Sequence, residues 1–382
     1  MIAVAVTVLP IMRSGVAGAD YAATPYDLVG IGGDTPQFSL DFLANGDADG
    51  DPGFNATGDQ RQLVTFDASA DANGRTAYYG TDSGANSSAL LDPTDVLREG
   101  EFPAQRNSSS GNAISSLQAD TPGDINFIAS TTALSTSTTY TPALHEYEFG
   151  TDTVSLAADT TTNAPTGLTD AQLALIYKGT DTTWTQVGGS SSATIVPLLP
   201  PPTSAITKTF LAAIGITQAQ VDTAVVQQVE QNDYTAITLN TSPANAIVPF
   251  SEARYHLIVG SSNPGVTPGP GEAYFPAIPG DSTFVGGTAG EAYPLEPQYA
   301  APIQLLTSAA TTAVTDYIDI RNSDLSDTGS SSAIEPGASL NWADYLFAGA
   351  SGVTPFIESA QAQALILDSG VTPVYVDKGE FN

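Results

Sequence analysis

Residues 167–215 read GLTDAQLALIYKGTDTTWTQVGGSSSATIVPLLPPPTSAITKTFLAAIG. Thr169 is followed three residues later by Gln172, the capping-box pattern that begins a helix. The apolar run Ile195–Leu199 then predicts a buried strand. A second helix pattern covers Thr207–Ile214 and stops at the final glycine, a residue favoured at helix C-caps. A helix, a strand and a helix in succession predict an α/β fold.

The same alternation extends to both sides of this stretch. Further helices are predicted after Asp34-Thr35-Pro36 and over Phe356–Leu367, and further strands over Ile125–Ala129 and Thr372–Val376. Proline is favoured at the first helical position, so Pro36 marks a helix start. The whole chain therefore fits an α/β architecture rather than an all-helical or all-β one.

Composition excludes several classes of function. The chain has 382 residues and 41% hydrophobic content, enough for two packed lobes. Ten Lys and Arg against 41 Asp and Glu give a net charge of −31. This field repels nucleic-acid phosphates and anionic lipid surfaces. The absence of cysteine excludes disulfides, thiolate zinc sites, thiol catalysis and a lipid-anchored amino-terminal Cys.

The amino terminus has two interpretations. Residues 1–11 are apolar, and the small residues Val16–Ala19 follow, as at a signal-peptidase site. The first base is Arg13, so a positively charged leading region is missing. The segment is a truncated signal peptide or a first strand or arm. No later stretch approaches the roughly 18 apolar residues that span a bilayer, so membrane insertion is not expected.

The opening stretch resembles the phosphate-binding (PstS-like) components of bacterial ABC importers. Its LT-x-x-QL-x-x-IY-x-G helix and turn, and Trp184 after a threonine pair, carry the resemblance. Three further segments agree in order: Val29–Gln37 is similar to G-S-D-T-T-Q, Gln105–Ile114 to R-P-N-G-S-x-x-G, and Ala246–Tyr255 to A-I-x-P-F-S-x-A-R-Y. The similarity is greatest with the secreted actinobacterial type.

The resemblance implies a two-lobed periplasmic-binding-protein-like type II fold that closes on an oxyanion. Residues 1–23 would form an N-terminal arm or remnant signal segment, 24–144 plus 251–382 lobe I, and 145–250 lobe II. In such a site, N–H groups at helix N-termini, hydroxyls and an Arg surround the anion. The ligand-binding residues implied are Thr35, Arg106, Ser108, Ser109, Ser110, Ser130, Thr131, Thr207 and Lys208.

The same loops depart from the family pattern. Ile206 stands where glycine lets the backbone approach a ligand, and Gly33 stands where Ser is usual. Lys208 replaces an Arg and cannot offer a bidentate fork. Losing two charge-assisted bonds at about 1.5–3 kcal/mol each would weaken a micromolar site by several decades. The original anion is therefore expected to bind weakly or not at all.

Two non-enzymatic functions remain open. One is a binding or structural protein with a degenerate anion site, a virion surface (capsid or tail decoration) protein of an actinobacterial phage. Two observations motivate it: the sequence includes Met1, as an uncleaved chain would, and the lipid-anchored Cys of an importer component is missing. The alternative is a secreted solute-binding protein for phosphate or another small ligand of an ABC importer. Expected partners are virion or importer proteins, and the expected location is the cell surface, the extracellular space or a virion.

Acidic residues in a loop allow a calcium hypothesis. Asp47, Asp49 and Asp51 alternate as in the start of a Ca²⁺-binding loop. Pro52 occupies the place of the usual glycine, and Gly58 that of the final glutamate. A solvated acidic loop is the alternative, and no other cofactor is expected.

Three other patterns have plain structural explanations. His145 and His256 are the only histidines, in segments that resemble strands or a hinge, so structural roles are expected. Glu146 and Glu148 would point the same way on a strand, as in a glycosidase pair or, equally, on an exposed strand face. The Gly/Pro-rich segment 261–300 predicts a long surface loop. Its rings would form a contact surface or pin the loop to its own lobe: Tyr274, Phe275, Phe284, Tyr293 and Tyr299.

Overall fold

A computed structural model describes residues 23–33, 35–46, 51–57, 61–66, 94–95, 97–98, 101, 104–105, 110–121, 123–229, 231–259, 303–306, 311–327, 333–334, 340–350 and 352–382. The N-terminal segment 1–22 lies outside the described residues. So do the Gly/Pro-rich segment and its five aromatic residues.

Strands and helices alternate along the described chain. The strands are β1 (Leu28–Gly32), β2 (Leu63–Thr65), β3 (Thr94–Asp95), β4 (Ala104–Gln105), β5 (Phe127–Ser130), β6 (Leu144–Asp159), β7 (Val196–Leu199), β8 (Gln227–Gln228), β9 (Ala246–Ser251), β10 (Ile303–Leu306), β11 (Thr312–Arg321) and β12 (Thr372–Phe381). The α-helices are α1 (Gln37–Asn45), α2 (Ser110–Ala119), α3 (Asp170–Tyr177), α4 (Ala205–Ala213), α5 (Thr235–Thr238), α6 (Glu252–Val259), α7 (Asn322–Ser326) and α8 (Ala360–Asp368).

Ten of these strands form one sheet around β6 and β11. The sheet has the order β2-β1-β5-β11-β6-β9-β7-β8, and β10 and β12 also pair with β6. The first half of β6 pairs with β12 and its second half with β9, while β11 runs antiparallel beside both halves. β1, β2 and β5 are mutually parallel next to β11, and β7, β8 and β9 are mutually parallel next to β6. These two sets of strands are called the two sides of the sheet. The predicted mixed α/β fold is confirmed.

The core divides along β6. Tyr147 and Phe149, from its first half, pack in an apolar cluster with α1 and α8. Val154 and Leu156, from its second half, pack in a different cluster with α3 and α4. One strand therefore contributes to two separate cores. The residue limits given above for two lobes stay a prediction.

Local helix signals are confirmed where a side chain caps the helix. Thr169 Oγ1 accepts a hydrogen bond from the Gln172 amide at 3.3 Å, and Gln172 Oε1 accepts one from the Thr169 amide at 2.9 Å. The helix predicted over Thr207–Ile214 begins earlier, at Ala205, because Ser204 is its N-cap. The helix predicted from Phe356 is a short 3-10 turn followed by α8, since Ser359 caps a new start.

Candidate functional site

Loops from both sides of the sheet meet at the carboxyl ends of the parallel strands. β1 and β5 end at Gly32 and Ser130 on one side, and β7 and β8 end at Leu199 and Gln228 on the other. Gln231, just after β8, hydrogen-bonds to the loops that follow β1 and β7. Ligands of open α/β sheets bind at such carboxyl ends, where the strand order changes direction.

A single carboxamide joins these two loops. Gln231 Nε2 donates to Thr35 Oγ1 at 3.0 Å, and Ser204 Oγ donates to Gln231 Oε1. The exposed fractions are 7% for Gln231, 2% for Thr35 and 2% for Ser204. Thr35 was expected from the sequence, whereas Gln231 was not. The bond between Gln231 and Thr35 spans 196 residues, so no local pattern could have indicated it.

Two other predicted residues lie together on the first side of the sheet. Ser110 Oγ accepts a hydrogen bond from the Thr131 amide at 2.9 Å and lies 3.2 Å from Thr131 Oγ1. A Cβ added at Gly33 would lie 3.5 Å from Ser110 Oγ. A side chain at this position would therefore begin within van der Waals contact of the Ser110 hydroxyl. The structure brings the loops after β1 and β5 together at the N-terminus of α2.

The hydroxyls of Ser130 and Thr207 are used by their own loops. Ser130 Oγ donates to the Thr132 carbonyl at 2.8 Å, and Thr207 Oγ1 donates to the Pro200 carbonyl at 2.8 Å. Both residues are fully buried. Lys208 is exposed one turn into α4. The side chains of these three predicted residues are therefore not part of the hydrogen bonds that join Gln231 to Thr35 and Ser204. Arg106, Ser108 and Ser109 lie outside the described residues.

Ile206 packs away from the ligand loops. Its side chain is fully buried in the apolar cluster around α3 and α4, together with Phe210. The Ile206 side chain, which a glycine would lack, therefore fills the core beside the second half of β6. Its presence at the start of α4 is explained by packing.

Arg254 on α6 is a candidate that sequence analysis did not single out. Its guanidinium carbon lies 3.6 Å from the ring centroid of Phe38, which is in the first turn of α1. A cation over an aromatic face is attracted by the ring quadrupole. Because α1 follows the Thr35 loop, this positive charge lies beside one wall of the candidate site. The A-R-Y part of the late family motif was the signal that could have indicated it.

Asn232 anchors the segment that carries the carboxamide. Its Oδ1 accepts a hydrogen bond from the Ser251 amide at 2.9 Å. Its φ is +54°, in the left-handed region where Asn is among the tolerated residues. The backbone next to Gln231 is thereby held against the end of β9.

Asp152, in β6, is a buried carboxylate whose hydrogen bonds reach the start of α6. It accepts hydrogen bonds from Ser251 Oγ, from the Ala253 amide at 3.1 Å and from the Thr153 amide at 2.6 Å. Complete burial raises its pKa to about 6, because desolvation outweighs these stabilising hydrogen bonds. Its oxygens are thus used to hold α6 against β6.

Two carboxyl side chains that face each other across β6 and β11 are also buried. Asp319 is directly opposite Glu146 in the register, and both are fully buried. Burial raises the pKa of each carboxyl, and Glu146 raises that of Asp319 further. The Leu134 amide donates to Glu146 Oε1, so the loop before β6 covers this face. The exposed-face interpretation of Glu146 was wrong for that reason.

The remaining candidates have structural contacts. Glu148 is half-buried, and its Oε2 lies 3.7 Å from Lys378 Nζ. His145 Nε2 lies 2.7 Å from Asp377 Oδ1, and His256 lies in α6, so the strand or hinge expected for His256 was wrong. Asp51 is exposed, while Asp47 and Asp49 lie outside the described residues.

No metal cluster and no membrane span is present in the part of the chain that the structure describes. Among the described residues, the acidic and histidine side chains form no group of three or more that could hold a metal ion. The helices among them are too short or too polar to cross a bilayer.

Polar loops at the carboxyl ends of parallel strands are the place where open α/β sheets bind their ligands. A family profile described as "PBP superfamily domain" matches residues 68–261, just over half of the chain. The chain therefore belongs to the PBP (periplasmic-binding-protein) superfamily. No curated protein matches its sequence.

Three solved structures illustrate the similarity. An ABC-type phosphate transport receptor from Vibrio cholerae is 15% identical with a TM-score of 0.45, covering 90% of this chain and 99% of the receptor. A putative phosphate ABC transporter substrate-binding protein with bound phosphate from Clostridium perfringens is 14% identical with a TM-score of 0.48, covering 91% and 99%. PstS from Borrelia burgdorferi is 13% identical with a TM-score of 0.39, covering 91% and 98%. The family assignment rests on the sequence match alone.

Proposed function

We propose that this chain is a non-enzymatic solute-binding protein that holds a small polar ligand between the loops following β1, β5, β7 and β8. One observation carries the proposal: the hydroxyls of Thr35 and Ser204, from opposite sides of the sheet, lie within hydrogen-bond reach of one shared group. Membership of the PBP superfamily supports it. On this proposal, residues 24–144 plus 251–382 and residues 145–250 form the two walls.

The groups at the site favour a ligand rich in oxygen atoms. A hydroxyl can donate one hydrogen bond and accept others, so Thr35, Ser110, Thr131 and Ser204 suit both oxyanions and neutral polyols. Arg254 would supply positive charge beside α1. Phosphate is the first ligand to test, given the resemblance of the chain's motifs to phosphate-binding components.

The wider setting follows from the same proposal. A solute-binding protein of this type would act outside the cell or at its surface and deliver its ligand to an ABC importer. The virion hypothesis has no support in the family match. A solute-binding function, the alternative stated from the sequence, would also explain why polar loops from the two sides of the sheet meet.

Calorimetric titration tests this function. The protein would be unfolded, dialysed and refolded to remove bound molecules, then titrated with phosphate, sulfate, glycerol phosphate, a hexose and a neutral amino acid. Thr131→Val keeps the side-chain shape but removes the hydroxyl beside Ser110, and should weaken binding about tenfold, roughly the value of one hydrogen bond. Thr136→Val, at an exposed threonine, is the matched control and should leave affinity unchanged.

Two results would count against the proposal. The first is that the refolded wild-type protein, with native circular dichroism, binds no compound in this panel. The second is that a compound binds with equal affinity to the wild type and to Thr131→Val.

A further inference from the structure

We infer that the Gln231 carboxamide is an internal substitute for the ligand, holding the two walls together until a ligand displaces it. This inference rests on the proposed function, because it concerns the same site. It assigns Gln231 a role in setting affinity and selectivity that neither the family motifs nor the other predicted residues supply.

The contacts of Gln231 are those expected of a small ligand. Its Nε2 donates to Thr35 at 3.0 Å, and its Oε1 accepts from Ser204. One amide group thus satisfies a hydroxyl from each side of the sheet. Thr35 and Ser204 are each 2% exposed, so Gln231 and the surrounding loops cover them.

Ser204 is also needed for the local fold. Its Oγ accepts a hydrogen bond from the Thr207 amide at 3.4 Å as the N-cap of α4. A ligand that replaces Gln231 would therefore meet a hydroxyl already oriented by the helix. The N-terminus of α4 lies at the same place, and helix N-termini favour negatively charged groups.

The neighbouring backbone allows the side chain to leave alone. Asn232 is fixed by the Ser251 amide at 2.9 Å, so the chain next to Gln231 is anchored independently of the bridge. A glutamine side chain has three rotatable bonds, and fixing it costs up to about 2 kcal/mol of conformational entropy. Displacement by a ligand would release that restraint, and loss of the bridge would leave the loops after β1 and β7 free to move apart.

Competition between Gln231 and a ligand makes a numerical prediction. The apparent dissociation constant equals the intrinsic value divided by the fraction of molecules that are open. Two net hydrogen bonds, partly offset by the side-chain entropy, correspond to an open fraction on the order of one tenth. Gln231→Ala should therefore bind inorganic phosphate about tenfold more tightly than the wild type.

Gln231→Glu would test selectivity. The substitution keeps the length of the side chain but places a carboxylate between the two hydroxyls. Like charges repel, so this variant should bind phosphate more weakly than the wild type while retaining a neutral polyol. Gln228→Ala is the matched control, because Gln228 is exposed on β8 only three residues away.

Hydrogen exchange measured by mass spectrometry, without added ligand, tests the bridge itself. Gln231→Ala should exchange about tenfold faster than the wild type in peptides covering residues 35–40 and 203–208, and Gln228→Ala should not. If truncation prevents folding, Gln231→Leu preserves most of the volume and should show the same faster exchange.

The outcomes separate this inference from the proposed function. Unchanged exchange in the two peptides would overturn the bridge. Weaker phosphate binding by Gln231→Ala would also overturn it, since Gln231 would then be an ordinary ligand contact. If neither protein binds any compound in the panel, the proposed function fails, while faster exchange would still support the closing role of Gln231. Phosphate binding by both proteins, tighter in Gln231→Ala than in the wild type, would support both.

Discussion

Replacing the buried carboxylate of Asp319 by its isosteric amide should stabilise the protein at neutral pH. Both Asp319 oxygens are buried without a hydrogen-bond partner, and so is Glu146 Oε2 on the opposite strand. In Asp319→Asn, the new NH₂ group can donate to Glu146, and one of two facing carboxylates is removed. A hydrogen bond to a charged group contributes about 1.5–3 kcal/mol, so the free energy of unfolding should rise by about that amount.

The sign of the pH dependence follows from the same pair. Burial raises the pKa of Asp319 in the folded chain, so the folded state binds the proton more tightly than the unfolded state. This contribution is fully present below the ordinary Asp pKa of about 3.9 and is lost as the pH rises through the folded-state pKa. Wild-type stability should therefore fall from about pH 4 towards pH 7.5.

The loss should be smaller in Asp319→Asn. It should not vanish, because burial also raises the pKa of Asp316 in the same direction and that of Asp152 to about 6. Asp181→Asn is the control, since it removes one negative charge at a partly exposed turn.

Urea unfolding, followed by the fluorescence of the buried Trp184 and Trp342, measures both effects. We expect Asp319→Asn to unfold at higher urea than the wild type at pH 7.5 and at nearly the same urea at pH 4. A variant that is less stable than the wild type at pH 7.5 would refute this reasoning. So would a wild-type stability that increases steadily over the same pH range.

Two further substitutions or additions test the description of the loops and the sheet. Gly30→Ala should lower the free energy of unfolding by about 1–3 kcal/mol through overpacking, because a Cβ there would lie 2.2 Å from the Phe127 ring. Gly111→Ala is the control and should not lower it, because a Cβ at Gly111 would have nothing within 4 Å. Urea unfolding measures both. Millimolar Ca²⁺ should leave the melting temperature unchanged in differential scanning calorimetry, since Pro52 and Gly58 stand where a Ca²⁺ loop needs a glycine and a glutamate; a reproducible rise would instead support the calcium loop.

Sequence reasoning succeeded where the signal is local. The start of α3 depends on Thr169 and Gln172, which are three residues apart and hydrogen-bond to each other. Short-range capping of this kind is visible in the letters themselves. The α/β class also follows from local alternation, and the superfamily match agrees with it.

Reasoning failed where distant parts of the chain decide the outcome. Periodicity places Glu146 and Glu148 on one face of a strand but cannot reveal what covers that face. Here Leu134, in the loop before β6, donates its amide to Glu146. Gln231 has no local signature either, since its partner Thr35 is 196 residues away.

The predicted ligand residues divide for a related reason. A hydroxyl in a loop is visible in the sequence, but its hydrogen-bond partner is not. Ser110 and Thr131 meet each other, whereas Ser130 and Thr207 donate to backbone carbonyls nearby. Only the folded loops reveal which hydroxyls remain near the point where the two sides converge.

Hydrogen exchange of the wild-type protein with and without its ligand is the most direct measurement of the central claim. At saturating concentration of the compound that binds most tightly in calorimetry, protection should concentrate in peptides covering residues 35–40, 110–113, 129–133 and 203–208. These peptides lie on both sides of the sheet. Protection on one side alone, or elsewhere on the chain, would contradict a ligand held between the two sets of loops.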